Sequence, residues 1–340
     1  MLPEILAHVI RGETIESIHR GHISVVDGEG RTIVSVGDPQ AVTFLRSAAK
    51  PFQALPFITS GAADGFGFTD DEIAMAVASH SGEKMHVERV EKMLTKIGLS
   101  ADDLRCGIHS PFYAKEAKRM LREGEEITTL HNNCSGKHTA MLGLAKHIGE
   151  DIKTYDSVES RVQNRILRCV SDFSGVPETD IALASDGCGV PSFAMPVSAM
   201  ARSFANLVFP LNFHPTVRSA ATRIVQAIMK YPELIGGTDR LDTMIMQAAP
   251  GKLISKVGAD GVWLCGVLPS DKNPTGLGIA LKVEDGDDHR GRPVIAVDIL
   301  KQLDVLVETA LPELSPMPIK NRRDDTVGRV ISSLTKEMLA

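Results

Sequence analysis

The 340-residue sequence has no excess of basic side chains: 37 Lys and Arg stand against 43 Asp and Glu, a formal net charge of −6. Nucleic acid and anionic membrane surfaces both require a basic face, so neither is an expected partner. No stretch approaches the roughly 18 apolar residues that span a bilayer. The opening MLPEILAHVIRGE has neither a basic leading segment nor a long apolar core, so no secretion signal is expected. Cysteine is sparse and odd in number, five in all, which favours reduced thiols in the cytoplasm over a disulfide framework. No C-x-x-C or H-E-x-x-H occurs, so spacing alone gives a weak metal signal. There is no internal repeat and no low-complexity linker. Regular βαβ alternation, the mark of a parallel doubly wound sheet, is missing as well. What is present is ordinary for a globular protein: 43% hydrophobic and 24% charged residues, in a chain long enough to bury a full core.

The first forty residues hold two β-rich runs in ESIHRGHISVVDGEGRTIVSVGD, joined at Asp27-Gly28-Glu29-Gly30, a hairpin signal. Helical patterns follow. TDDEIAMAVASH opens on Thr69 with acidic residues behind it. DSVESRVQNRILRCVSDFSG offers Asp156 and Glu159 as a capping box, puts Val158, Val162, Ile166, Cys169, Val170 and Phe173 on one face, and closes at Gly175. A further helix is expected from about Pro215 to before Pro232. Strand signals return in GKLISKVGADGVWLCGVLP and GLGIALKVE, with a turn at Ala259-Asp260-Gly261. A helix over RPVIAVDILKQLDVLVETAL and a strand around TVGRVISSL end the chain. Strands at both ends and helices between them predict an α/β (α+β) protein. Its N- and C-terminal strands would pair into one antiparallel sheet covered by helices, with a helical region inserted. The chain reads as a single catalytic domain over 1–340, with sheet-forming parts at about 1–60 and 250–340 and a helical middle at about 61–249.

Within FLRSAAKPFQALPF, Ser47 and Lys50 lie three apart, a spacing that places a hydroxyl and an amine on one helix face. A serine needs a base to become a nucleophile, and a lysine serves as one only when burial or a nearby cation lowers its pKa. Ala48, Ala49, Phe44, Leu45 and Phe52 could supply the dry setting, and Arg46 the positive potential. Pro51 biases Lys50 away from the α region, so the pair is expected at a helix start, where free N–H groups could serve an oxyanion. ASHSGEKMH places Ser79, His80, Ser81 and Gly82 at the end of an apolar helical run. LISKVGADG sets Lys256 close to a glycine, as in the third lysine element of penicillin-recognising serine hydrolases. By spacing alone, Ser79 could equally be a polar helix end and Lys256 a solvated strand end.

HNNCSGKHTAMLGLAKHIG holds Cys134, Lys137 and His138 at a helix start, with Ser135 as the expected cap. ASDGCGVPSFAMP holds Cys188 between glycines, beside Asp186. Structural cysteines sit on apolar faces, as Cys169 is expected to, with Cys106 and Cys265 as further candidates. Cys134 and Cys188 lie instead among small and polar residues, where a thiolate is easier to sustain. They could ligate a soft divalent ion, or one could be a nucleophile. His131 and His138 read as structural by pattern.

Taken in order, RSAAKPFQALP, ASHSGE, HNNCSGKHTAML, DGCGVPSFAMP and SKVGADG closely resemble the asparaginase II family, the Rhizobium etli-type or class 3 L-asparaginases, over nearly the whole chain. The resemblance implies a serine β-lactamase/glutaminase-like fold, a homodimer, and hydrolysis of L-asparagine to L-aspartate and ammonia. It implies Ser47 as nucleophile with Lys50 as base, and Ser79 with Lys256 as a second serine–lysine pair. It also implies zinc held by Cys134, Lys137 and Cys188, and a substrate pocket lined by Arg46, Asp186 and His138. Lysine is an unusual zinc ligand because it binds only when deprotonated. The alternatives are a glutaminase, an esterase or a β-lactamase-like serine hydrolase, or a non-catalytic module that binds an amino acid or a metal.

Overall fold

The computed structural model describes residues 2–339. From the N-terminus come β1 (Glu4–Arg11), β2 (Thr14–Asp27), β3 (Thr32–Val36) and β4 (Val42–Phe44). A 3-10 turn over Arg46–Ala49 runs directly into α1 (Lys50–Thr59), and α2 (Ala62–Gly65), α3 (Asp70–Ala76), α4 (Lys84–Lys96) and α5 (Ala114–Glu123) follow. Next are α6 (Ser135–His147), α7 (Arg161–Ser174), β5 (Ala182–Ser185), β6 (Pro191–Pro196) and α8 (Val197–Val208). The chain continues through α9 (Pro215–Lys230), α10 (Pro232–Ile235) and α11 (Leu241–Ala248) to β7 (Leu253–Val257), β8 (Val262–Val267) and β9 (Leu277–Val283). It ends with α12 (Gly291–Gln302), β10 (Met317–Lys320) and β11 (Thr326–Ser332). These elements cluster into a sheet unit (Met1–Ala48, Ala194–Phe209, Met244–Ala340) and a helical unit (Ala49–Phe193, Pro210–Thr243).

In the sheet unit the strands run in the order β10-β11-β1-β2-β9-β8-β7, with β3 paired to β2. The strands of this sheet pair antiparallel, and the two ends of the chain meet as expected: His22 faces Lys282 across β2 and β9, and Val9 faces Val330 across β1 and β11. β8 and β9 are almost wholly buried, which fits their unbroken apolar runs. Helix α8 comes from the predicted helical middle yet belongs to this unit.

The helical unit is built around α1. Phe52 of α1 meets Phe173 of α7 at 5.4 Å between ring centroids, and Phe173 stacks on Phe213 at 4.3 Å. The predicted Thr69 start holds, because Thr69 and Glu72 form a reciprocal capping box at α3.

Four boundaries differ from expectation. α7 starts at Arg161 rather than near Asp156. Ser160 caps it through the Gln163 N–H at 3.0 Å, and the Glu150 carboxylate accepts the Arg161 and Val162 N–H groups at 2.7 and 3.0 Å. Val158 is consequently outside the helix and exposed, and Asp156 pairs with Arg105. α12 stops at Gln302, well short of the predicted end, because Asp304 takes a left-handed φ of 56° that the helix cannot continue through. α3 ends at Ala76, leaving Ser79 to Gly82 in a loop. Cys134, not Ser135, is the cap residue of α6. Of the cysteines, Cys106 and Cys265 are buried as expected, whereas Cys169 is only partly so.

Candidate active site

In the helical unit the site begins with Lys50, the first residue of α1, followed at once by Pro51 as the sequence requires. Its side chain is completely buried. Nζ lies 2.5 Å from Ala78 O, 2.9 Å from Ser79 Oγ and 3.0 Å from Asn133 O, each within hydrogen-bond reach. Burial pushes its proton affinity below the ordinary lysine value, opposed by Cys134 and helped by Lys137. Ser79, also buried, is fixed by its own N–H, which donates to Ile235 O at 2.8 Å.

The Ala78–Gly82 loop is tied to the start of α6 by His80. Its Nδ1 accepts the Gly82 N–H at 3.1 Å, so its Nε2 carries the proton and meets Ser135 Oγ at 2.8 Å, while that hydroxyl donates to Leu130 O at 3.0 Å. Burial holds His80 neutral, far below the usual imidazole range, and His86 stacks on it at 5.1 Å. The next turn of α6 crosses α3 so closely that a Cβ on Gly136 would lie 2.2 Å from Met75 O, so only glycine fits.

Cys134, Lys137 and Cys188 converge. All three are buried, and Lys137 Nζ donates to Cys188 Sγ at 3.0 Å. A hydrogen bond from Cys188 holds the Cys134 thiol well below its usual range, while the same contact and burial push Cys188 up. Of the two thiols, Cys134 is the one favoured to lose its proton. Burial works against the Lys137 charge, but the two sulfurs and Asp186 outweigh it and raise its proton affinity. Asp186 is half-buried in a tight turn, its Oδ1 accepting the Gly187 N–H at 2.8 Å. His138 is fully buried, and its Nδ1 meets the Tyr155 hydroxyl at 2.7 Å. Its Nε2 is buried with no hydrogen-bond partner, and burial keeps the ring neutral.

Among the described residues, no three His, Cys, Asp or Glu side chains gather to hold a metal. A metal in the helical unit would thus depend on Lys137 as third donor. The donor chemistry fits a soft divalent ion: two thiols and an amine within hydrogen-bond reach, already organised around a positive charge that the ammonium supplies. Binding would require that ammonium and Cys188 each to lose a proton.

In the sheet unit lie Arg46, Ser47 and Lys256. Arg46 has a left-handed φ of 51°, and its guanidinium is ion-paired with Asp260. Ser47 is half-buried in the 3-10 turn. Lys256 is buried in β7 opposite Leu264, with Nζ donating to Val257 O at 3.1 Å. Ser79 belongs to the helical unit and Lys256 to the sheet unit, and within the helical unit Ser79 Oγ accepts from Lys50 Nζ at 2.9 Å.

The helical unit therefore groups Lys50, Ser79, Cys134, Lys137, His138, Asp186 and Cys188. His80 and Tyr155 join them without having been assigned roles from the sequence, and Ser135, expected only as a cap, joins through its hydroxyl. His80 stood inside a quoted motif, so its neighbours could have flagged it. The carbonyls of Ala78 and Asn133 carry no signal in residue type. A surface cavity of about 440 Å³ lined by Asp156, Glu159, Leu183, Ser185 and Pro191 contains none of the predicted residues.

A family model described as L-asparaginase II matches residues 7–332. No curated protein gives a match. Among solved structures, a probable glutaminase from Bacillus subtilis in complex with 6-diazo-5-oxo-L-norleucine is 14% identical, covering 84% of this chain and 85% of that one at a TM-score of 0.41. The covalent complex of the Bacillus subtilis glutaminase YbgJ with 5-oxo-L-norleucine is 13% identical, covering 84% and 89% at a TM-score of 0.39. Likeness this slight transfers no residue role.

Proposed function

Since the chain belongs to the L-asparaginase II family, a family of amidohydrolases, we propose that it hydrolyses L-asparagine to L-aspartate and ammonia through an ester on Ser47, with Lys50 as the base. The observation that carries this reading is Lys50 itself: a fully buried lysine at a helix start, its proton affinity lowered by desolvation, three residues along a continuous helical segment from a half-buried serine.

An amide is an unreactive acyl group, so splitting its hydrolysis into two steps lowers the barrier. Ser47 Oγ attacks the side-chain carbonyl carbon while its proton passes to neutral Lys50. The oxyanion is met by backbone N–H groups of the helical turn, each worth about 3 kcal/mol in the transition state. The C–N bond then breaks, and the amine returns its proton to the leaving ammonia. Water, deprotonated by the same amine, attacks the ester; the acyl C–O bond breaks, Ser47 Oγ takes the proton back from the amine, and aspartate is released. Arg46, Asp186 and the unpartnered Nε2 of His138 serve the charged end of the substrate. Ser79 and Lys256 act as a second serine–lysine pair in proton transfer.

Cys134, Lys137 and Cys188 would hold zinc, which supplies a fixed positive charge. These residues brace α6 and the Cys188 turn, and no step above passes through the metal. The protein is proposed to work as a homodimer in the cytoplasm, in keeping with five free cysteines. No helix among the described residues is long and apolar enough to cross a membrane.

A second reading makes Ser79 the nucleophile, and the 2.9 Å contact from Lys50 Nζ favours it. Ammonia release from asparagine and glutamine by the parent, Ser47→Ala and Ser79→Ala proteins separates the readings. Near-normal turnover in Ser47→Ala would remove the first, and tight asparagine binding without turnover in the parent would make the protein a binding module.

A further inference from the structure

A clamp in the sheet unit has no part in the roles above. Arg292, buried in the first turn of α12, donates through Nη1 to Gly258 O at 2.7 Å and Val262 O at 3.4 Å. It is also ion-paired with Asp288, whose Oδ1 accepts the Gly261 N–H at 2.8 Å. Together the two side chains grip the β7–β8 turn at both of its ends.

That turn is pressed against the chain just before Ser47. A Cβ on Gly258 would lie 2.7 Å from Leu45 O, the same carbonyl that accepts the Ala48 N–H at 3.1 Å. Asp260, at the tip of the turn, is ion-paired with Arg46, and its own carbonyl accepts from Lys282 Nζ. Arg46 and Asp260 both have left-handed backbones, with φ of 51° and 58°. A non-glycine residue stays in that region only when its surroundings hold it there.

We propose that Asp260, set in place by Asp288 and Arg292, is a positioning residue for Ser47: its carboxylate holds Arg46 in the left-handed conformation and so aims the hydroxyl of the next residue. This rests on Ser47 being the nucleophile. Asp260 is 68% exposed, so its truncation leaves no cavity and should leave the melting temperature unchanged.

The test has two readouts on Asp260→Ala and Asp260→Glu. The first is hydrogen exchange at the Ala48 amide, which is independent of any catalytic role. The second is the rate at which a fluorophosphonate labels Ser47, mapped by peptide mass spectrometry. In Asp260→Ala, exchange should quicken and labelling slow by about five-fold, the upper range for a partly exposed ion pair. The kcat for asparagine should fall in parallel, and Asp260→Glu should recover most of the loss. Equal labelling of parent and Asp260→Ala overturns this proposal alone, whatever the exchange shows. A parent chain that the probe does not label at Ser47 removes the nucleophile reading, and this proposal falls with it.

Discussion

In the helical unit Lys50, His80 and His138 are wholly buried, and desolvation is the first cause of every one of their altered proton affinities. In the sheet unit Arg46 and Ser47 are only half-buried, and what distinguishes Arg46 is a left-handed backbone and an ion pair to a turn. On the proposed reading, Lys50 supplies the base and the turn at Arg46 sets the direction of Ser47. Acid–base chemistry at neutral pH needs an amine that is free to accept a proton, which only a dry site provides. A nucleophile needs a fixed line of attack, which backbone geometry provides without burial.

The contrast can be broken by substitution. Ser47→Ala should lower asparagine turnover by about ten-thousand-fold while the fold is retained, as far-ultraviolet circular dichroism would show. Lys50→Met, which keeps the stem and removes the base, should cost about a thousand-fold. Both losses should appear in kcat. A loss confined to KM would mean that burial at Lys50 serves substrate binding instead.

On the proposed mechanism Lys50 works as a neutral amine, and burial lowers its proton affinity, so kcat/KM should rise with pH and level off below the ordinary lysine value. A flat profile from about pH 6 to 10 would detach desolvation from catalysis. Stability should respond in the same sense. Folded His80 and His138 resist protonation, so the unfolded chain binds more protons as pH falls through the usual imidazole range. Each should then remove up to about 1.4 kcal/mol per pH unit below about pH 6.5. Melting curves from pH 5 to 8 in the parent and His80→Asn would show whether the acid sensitivity is smaller in the variant.

Cys134→Ala and Cys188→Ala should each abolish zinc binding measured by inductively coupled plasma mass spectrometry after dialysis. Retained metal in both would misplace the site. The smallest effect is purely structural: Glu150→Gln should lower stability by about 1 kcal/mol, because it weakens the cap on the first two N–H groups of α7.

How legible this was in the sequence followed the range of the interactions. The antiparallel sheet could be read because β8 and β9 carry unbroken apolar runs and their turns carry Gly and Asp. The Pro51 rule placed Lys50 at a helix start. The α7 boundary was not readable, since its cap comes partly from Glu150, eleven residues upstream, and nothing local marks it. The 2.9 Å contact between Lys50 and Ser79 was not expected, because it comes through a loop return that spacing does not encode. The left-handed turn at Arg46 was likewise hidden, because glycine, the usual sign of such a backbone, is not there.

The most direct measurement is to quench the protein with acid during asparagine turnover and map the covalent aspartyl ester by peptide mass spectrometry. An ester on the Ser47 peptide, absent from Lys50→Met over the same interval, is the predicted result. An ester on Ser79, or an equal amount on Ser47 without the lysine, would contradict the assignment of residue 50 as the base that activates residue 47.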